Sequence, residues 1–572
     1  MTCNGPEDQA RPFPLEPAAR SGIFSYLQEH IPPATLAHIF YWLILLVGLA
    51  GSLVNLFGLK LLLEPNLIAQ TSIATPTFFV LLIGCAGSWL RAQDLTPAAR
   101  IIYRTSAILV GIYLALCTVP LPPGAPRASV AWFTYAPWIG LAAAALAIWR
   151  PTLALIPFGL LAIHKSLTAR LWSIPVTPTD WLPIVESTSF LLIGACVLVA
   201  LRRLATIVTV TREDEIEKGR MRLIDALVIV VIGIHFSNYL WSGIEKVALD
   251  GGPISWLLEN RTDVLIDVAS EAGFFTFGHG FPFSEFLHDS AARLVVPINV
   301  VTLAAQLACV MVFWRRSWIV VLTLLFDLQH FAIFSLTGIF FWKWIIFNFA
   351  IVAAVSRLDR ERIPASIGSL GLAACVGAGH VFFVANLGWY DTRSFNHLHA
   401  FAITDDGREI PVPTNFFGPF SVTMAQMDHA HVWPSAFPTG TWGATMRHTV
   451  MRDGMACALP ANRPASETPD LTSLVRLTRD WHEAMLVAAN GKGFVSYDLY
   501  PHHIWSDPRR YAAFSALDLR HVAGYRWQRD VKCIDARGHF DGPRLVDRAK
   551  TFVPIKRDPR QLGASQASDI DN

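Results

Sequence analysis

Charge is scarce in this sequence. Only 16% of the 572 residues are Asp, Glu, Lys or Arg, while 53% are hydrophobic. The mean hydropathy is +0.41. Soluble domains carry about 25% charged residues, so the deficit excludes an ordinary soluble chain and is expected where much of the surface faces lipid. A formal net charge of +2 leaves no basic surface, and no nucleic-acid partner is expected. The eight cysteines contain no CxxC or zinc-ligand spacing. Internal repeats and low-complexity tracts are absent too. The polar, Pro-containing segment 1–36 has no basic stretch leading into a short apolar core. No cleavable signal peptide is expected there, and the first span is read as an uncleaved anchor.

What is present is a series of apolar runs. A bilayer core of about 30 Å needs about 20 apolar residues per helix. Runs near that length fall at 37–63, 72–91, 101–121, 129–149, 183–202, 223–246, 294–314, 317–337, 338–356 and 366–388, with a shorter one at 151–168. The expected fold is an all-α polytopic membrane domain of ten or eleven transmembrane helices over 37–390, with eleven preferred. Basic residues orient it. Arg202, Arg203, Arg212, Lys218, Arg220 and Arg222 precede the 223–246 run, and Arg315-Arg316 and Arg357, Arg360 and Arg362 punctuate later connections. The positive-inside rule puts these loops in the cytoplasm. Alternation then puts the 247–293 connection outside. That connection is long and still apolar, with Trp256-Leu257-Leu258 and aromatics from Phe274 to Phe286, and reads as interfacial or re-entrant helices over the outer mouth.

From about 391 the texture changes to a soluble α+β or mainly β domain, extracytoplasmic by the same alternation and extending to 555. Residues 398–412 read as two strands around an Asp-Asp-Gly turn, 471–488 as a helix stopped near Gly491, and 493–500 and 520–534 as strands. The tail 556–572 is expected to be disordered. Cys85, Cys117, Cys196, Cys309 and Cys375 lie in apolar runs and read as small buried hydrophobes. Cys457 and Cys533 alone fall in the outer domain, where a disulfide between them fits a non-cytoplasmic compartment.

The sharpest chemical signal lies on the 223–246 helix. His235, Tyr239, Ser242 and Lys246 are spaced i, i+4, i+7 and i+11, on one face. Such a polar stripe should look into the bundle or a watery cavity; the plainer alternative is a snorkelling lysine and a hydrogen-bonded core histidine. On the 317–337 helix Asp327 and His330 are i, i+3 neighbours, so the carboxylate is a candidate to orient the imidazole, or both make structural contacts between helices. Trp342 and Lys343 follow; they suit either a site or an aromatic belt. Lys246, His330 and Lys343 all fall toward the outer half and are expected to share a chamber capped by 247–293. His380 and Asn386 on the last span are weaker members.

Ser242-Gly243-Ile244-Glu245-Lys246-Val247, with Trp256 following, resembles the (A/S)-G-x-K-K-L…W element of vitamin K-dependent gamma-carboxylases and the wider HTTM-domain family. The later His330-Phe-Ala-Ile-Phe…Gly338-Ile-Phe-Phe-Trp342 is similar to that family's His…I-G-x-F element. The likeness covers about 223–356; His164 loosely matches another histidine of the family. It implies a membrane lyase of carboxylase type. In that chemistry, the lysine matching Lys246 deprotonates a reduced vitamin K, whose reaction with O₂ yields a strong base that takes the γ-proton of a peptide glutamate before CO₂ is captured. Catalytic candidates are then Lys246, His330, His235, Asp327 and Tyr239, with Ser242, Trp342 and Lys343 holding a quinol. Glu245 departs from the family, which has a second lysine there; a neighbouring carboxylate favours the ammonium over the free amine.

More than half of the 18 histidines lie after residue 391. His397 and His399, and likewise His429 and His431, have the spacing that puts both imidazoles on one strand face, and His502-His503 and Asp428 are near in sequence. No ligand run has a recognised metal spacing, so no metal is assigned; these remain weak copper or zinc candidates beside unrelated surface histidines. Thr414–Phe420 reads as a turn packing aromatics. Three function classes remain: an HTTM-type enzyme, a non-catalytic maturation or binding protein for a secreted polypeptide, and a redox protein holding quinone or haem between His235, His330 and His380.

Overall fold

The computed structural model describes residues 89–116, 119–172, 182–208, 213–277, 283–382, 388–426, 442–457, 471–488, 491, 503–534 and 544–555. The predicted runs 37–63 and 72–91, the 493–500 strand, His429, His431, His502 and the tail lie wholly or mostly outside them. The described chain is mostly helical, with a small C-terminal sheet.

Helices α1 (Pro97–Leu116), α2 (Arg127–Ala147), α3 (Leu155–Trp172), α4 (Leu182–Val208) and α5 (Glu213–Val247) come first. Thr96 Oγ1 accepts from the Ala99 amide at 3.3 Å and caps α1, whose Pro97 suits a first turn that needs no amide donor. Three short helices follow, α6 (Ser255–Glu259), α7 (Val264–Glu271) and α8 (Phe283–Arg293). Then come α9 (Val295–Leu307), α10 (Arg316–Thr337), α11 (Trp342–Val355) and α12 (Ala365–Phe382). Five described segments are long and apolar enough to cross a membrane: Pro97–Leu116, Arg127–Ala147, Pro151–Trp172, Arg222–Val247 and Arg316–Thr337. The segment 151–168, the weakest by sequence, is among them. Four more apolar helices, Ser187–Ala200, Val295–Met311, Trp342–Val355 and Ala365–Gly377, are shorter.

Two predicted runs divide differently from their expected bounds. The run 294–314 is α9 followed by a 3-10 turn at Ala308–Met311. The run 338–356 begins as a helix only at Trp342, because Gly338 closes α10 with φ 72° and Ile339 pairs with Ile504 of the C-terminal domain. Helix α5 is central. It packs along α12 at a glycine contact, where a Cβ on Gly233 would stand 2.3 Å from the Gly371 carbonyl oxygen. Small residues allow this approach of two backbones. Helices α4 and α9 also flank α5, while α11 lies on α1 and α10.

The C-terminal sheet has the order β2-β1-β3-β4, all neighbours antiparallel, with β1 Ser394–Thr404, β2 Glu409–Val412, β3 Val522–Cys533 and β4 Arg544–Pro554. The hairpin over 398–412 and the strand over 520–534 stand where the sequence put them. A helix over Leu471–Ala488 lays Leu474, Leu477, Trp481 and Met485 on Phe416, Phe417, Trp527 and Tyr525. The Thr414–Phe420 turn thus supplies aromatics to this second core, and Trp172 from the end of α3 joins it, 4.9 Å from Trp481 and 6.1 Å from Phe420. Cys457 and Cys533 form a disulfide with Cα atoms 5.8 Å apart. Cys309 and Cys375 are buried free thiols, and Cys196 is partly buried.

The sheet domain is stitched to the helices by backbone. Segment 503–507 runs between 273–277 and 338–340: Phe275 N donates to Trp505 O (2.8 Å), Trp505 N to Gly338 O (3.0 Å), Phe340 N to His503 O (2.6 Å) and Asp507 N to Gly273 O (2.9 Å). Buried Asn415 closes the seam, donating to Ile504 O at 2.7 Å and accepting from Ser506 N at 2.5 Å. Peptide groups buried at such a junction need these partners.

Candidate functional site

The stripe of α5 faces the interior along its whole length. His235 and Tyr239 are buried, as are Ser242 and Lys246. Its two halves meet different neighbours. In the first, His235 Nε2 pairs with Asn348 Oδ1 of α11 at 2.7 Å. The Asn348 amide in turn donates to Asp327 Oδ1 of α10 at 2.7 Å and to the Tyr239 hydroxyl at 3.3 Å. Tyr239 stacks on Phe326 at 3.7 Å, and His330 lies 5.9 Å from the Tyr239 ring and stacks on Phe341 at 4.6 Å. One asparagine therefore joins three helices. Asp327 does orient a neighbour through its carboxylate, but that neighbour is Asn348 and not His330. Among the described residues, Asp327 Oδ2, His330 Nδ1 and His235 Nδ1 have no hydrogen-bond partner.

The second half is the lysine end. Lys246 Nζ donates to Ser242 Oγ at 2.7 Å and to Ser242 O at 3.2 Å, one turn back on the same helix. Gln306 of α9 donates to the same Ser242 Oγ at 3.1 Å. The ammonium position stands 5.3 Å from the centre of the Trp256 ring, within reach of a cation–π contact. Trp256 belongs to α6, so the 247–293 connection does supply a wall beside Lys246. Glu245, on the adjacent face, accepts from the Gly388 amide at 3.1 Å.

Beyond these lies Asp391, buried where the last helix gives way to the sheet. Its Oδ2 accepts from Asn260 Nδ2 at 3.0 Å, its Oδ1 from Trp389 Nε1 at 3.0 Å, and its amide donates to Asn260 Oδ1 at 2.6 Å. Burial pushes the Asp391 carboxyl up to about 6, against the pull of the Asn260 and Trp389 hydrogen bonds and the Lys246 charge.

Lys343 is buried at the start of α11, 5.6 Å from the Tyr113 ring and 5.5 Å from that of Trp342. His503 hangs beside it from the sheet domain, its Nδ1 3.3 Å from the Phe340 carbonyl oxygen. Surrounding protein, and after it the Lys343 charge, push the His503 imidazole down to about 3. Lys246 thus has neighbours of its own, whereas Lys343 and His330 both lie near His503, the latter through Phe341, which packs on both imidazoles. His164 is buried against Phe133 at 4.7 Å. Backbone is described at His380 but its side chain is not, and Asn386 lies outside the described residues.

In the sheet domain His397 and His399 pack ring to ring at 4.5 Å, and His399 Nε2 is 3.9 Å from Asp530 Oδ2. Among the described residues no three His, Cys, Asp or Glu side chains converge as metal ligands. Sequence reasoning passed over Asn348, Gln306, Asn260 and Asp391. Asn348 is the only polar side chain among the apolar residues that follow Trp344 in α11, an isolated polar group in an apolar run that the sequence already displayed. No protein-family model, curated protein or solved structure matches this chain.

Proposed function

We propose that the chain is a multi-pass membrane protein of HTTM type, with ten or eleven spans and an extracytoplasmic sheet domain, and that Lys246 is the base of a carboxylase-like lyase acting with a reduced quinol such as reduced vitamin K. The observation that carries this reading is the setting of Lys246: a buried amine held by Ser242 against the face of Trp256. Burying a lysine costs several kcal/mol in order-of-magnitude terms, a cost that function most readily explains. The disulfide supports an oxidising compartment for the sheet domain.

These residues suit a phenolic ring. The Trp256 face offers a stacking surface, and Nζ of Lys246 offers either a donor to a phenolate or an acceptor for a phenol proton. When bound, the reduced quinol supplies the reducing equivalents and the acidic hydroxyl. Ser242, itself held by Gln306, would keep the Lys246 nitrogen in place to take the hydroxyl proton. A haem fits poorly. His235 Nε2 is engaged by Asn348, and the His235 ring is closed in by Trp344, Phe347 and Tyr239 at 5.0–5.6 Å.

A second reading, a non-catalytic maturation or binding protein for a secreted polypeptide, is favoured by one observation. Glu245 directly precedes Lys246 on α5, and a neighbouring carboxylate favours the ammonium, as expected of a lysine that is only a structural cation. Anaerobic equilibrium binding of a short-chain reduced naphthoquinone to the detergent-purified protein separates the two. Lys246→Ala and Trp256→Ala should weaken binding about tenfold, the worth of one hydrogen bond to a charged group, while Lys532→Ala, in the sheet, should leave it unchanged. Equal binding by all of them would remove the quinol from this site.

A further inference from the structure

Asn348 is the hub of a buried polar cluster walled by rings. Its side-chain nitrogen donates to Asp327 Oδ1 at 2.7 Å and to the Tyr239 hydroxyl at 3.3 Å, which uses both of its hydrogens. Its oxygen is thereby turned to His235 Nε2, 2.7 Å away. The reversed amide would set that oxygen against Asp327 Oδ1, acceptor against acceptor, so the carboxyl group fixes which way the amide faces. An amide oxygen only accepts, and a hydrogen bond of this length to it needs the hydrogen on Nε2. Neutral His235 is then bare at Nδ1. That nitrogen is buried and meets no donor among the described residues, and the same holds for Asp327 Oδ2 and His330 Nδ1. The Trp344 ring lies against His235, Tyr239 and His330 at 5.2, 5.6 and 6.3 Å, and Phe347 closes on His235 at 5.0 Å. Among such apolar walls the bond from His235 to Asn348 is strong, and leaving an acceptor nitrogen without a donor is costly. Three acceptor atoms kept at that cost call for a reason.

We propose that Asn348 is a positioning residue for His235: it holds the imidazole as the neutral Nε2–H tautomer, which keeps Nδ1 as a proton acceptor for a hydroxyl or N–H donor brought into the helix bundle. The sense of the lock comes from Asp327 on α10, and Asn348 on α11 carries it to His235 on α5. Which ring nitrogen of a histidine can take a proton is set by what the other one is bonded to. Here the other one is committed, so the bare nitrogen is always the same. This acceptor is separate from Lys246, which stands eleven residues further along α5, roughly 16 Å away by the helical rise. The inference therefore goes beyond the quinol reading and does not need it. An asparagine that only stapled three helices together would leave the His235 tautomer indifferent to Asp327.

The test is nitrogen NMR of the full-length protein in detergent, with isotopically labelled histidine rings and the His235 signals identified by their loss in His235→Gln. Chemical shift distinguishes an N–H ring nitrogen from a bare one. Native His235 should show a single neutral tautomer, N–H at Nε2 and bare at Nδ1. Asn348→Leu should give both tautomers and speed exchange of the Nε2 hydrogen with deuterated solvent about fivefold, the worth of one hydrogen bond. Asp327→Leu leaves Asn348 in place but removes what orients it, and it too should give both tautomers. If Asn348→Leu does not fold, the native spectrum and Asp327→Leu decide. A native Nδ1–H tautomer would overturn the proposal. So would a pure Nε2–H tautomer in every folded variant, which would leave Asn348 as a staple between helices. These readouts involve no quinol, so failure of quinol binding at Lys246 and failure of the tautomer lock are told apart.

Discussion

His503 shows what burial does to a single residue. An unfolded histidine titrates near 6.5, whereas the folded His503 is held down at about 3 by surrounding protein and Lys343. Between those values the unfolded chain binds a proton that the folded chain refuses. Stability is therefore lost as pH falls below about 6.5, and the loss continues toward 3. Asp391, raised to about 6, works in the opposite sense: its folded form gains a proton earlier than the unfolded one, so it offsets part of that loss on the acid side. The thermal midpoint of His503→Gln should consequently drop less than that of the native protein between pH 7 and pH 4.5. Identical slopes would mean that His503 is not the group responsible. At this scale the sequence was partly legible. The 3.6-residue period put His235, Tyr239, Ser242 and Lys246 on one face, and all four are buried. Asn348 and Asp391 escaped notice because their roles exist only where α5, α10 and α11 meet, or where residues 388–391 meet α6. No local spacing encodes such meetings.

Elements were easier to read than their ends. Long apolar runs and the Asp-Asp-Gly hairpin follow from period and turn chemistry alone. The early stop of α10 does not, because its cause lies far away in sequence. Gly338 takes φ 72°, and a Cβ there would meet both the amide and the carbonyl of Phe275 at 2.9 Å and the Trp505 carbonyl at 3.0 Å. The glycine is thus needed twice, for the left-handed turn and for the strand-like passage of 503–507. Gly338→Ala should cost about 1–3 kcal/mol and expose 503–507 to protease, as measured by melting in detergent and by limited proteolysis. A variant with native melting and native protease resistance would show that the seam tolerates a side chain.

At the scale of the whole molecule, apolar helices and a disulfide-bonded sheet domain form one connected structure. Trp172 runs from α3 into the core of the sheet domain, and residues 388–391 and segment 503–507 tie the sheet to α5 and α10. Composition announced the two textures, and the change near residue 391 marked where one yields to the other. It did not announce that they would share contacts beside the lysine, since a linker of similar composition could equally have held them apart. The proposed relation to vitamin K-dependent gamma-carboxylases rests on two motifs, Ser242–Val247 with Trp256 and His330–Trp342, and it stands or falls on chemistry at Lys246. Oxygen uptake on adding reduced quinone, compared between the native protein and a Lys246→Ala variant of equal thermal stability, tests this most directly. The account predicts quinol-dependent uptake by the native protein and its loss in the variant. No uptake by the native protein, or equal uptake by both, would contradict it.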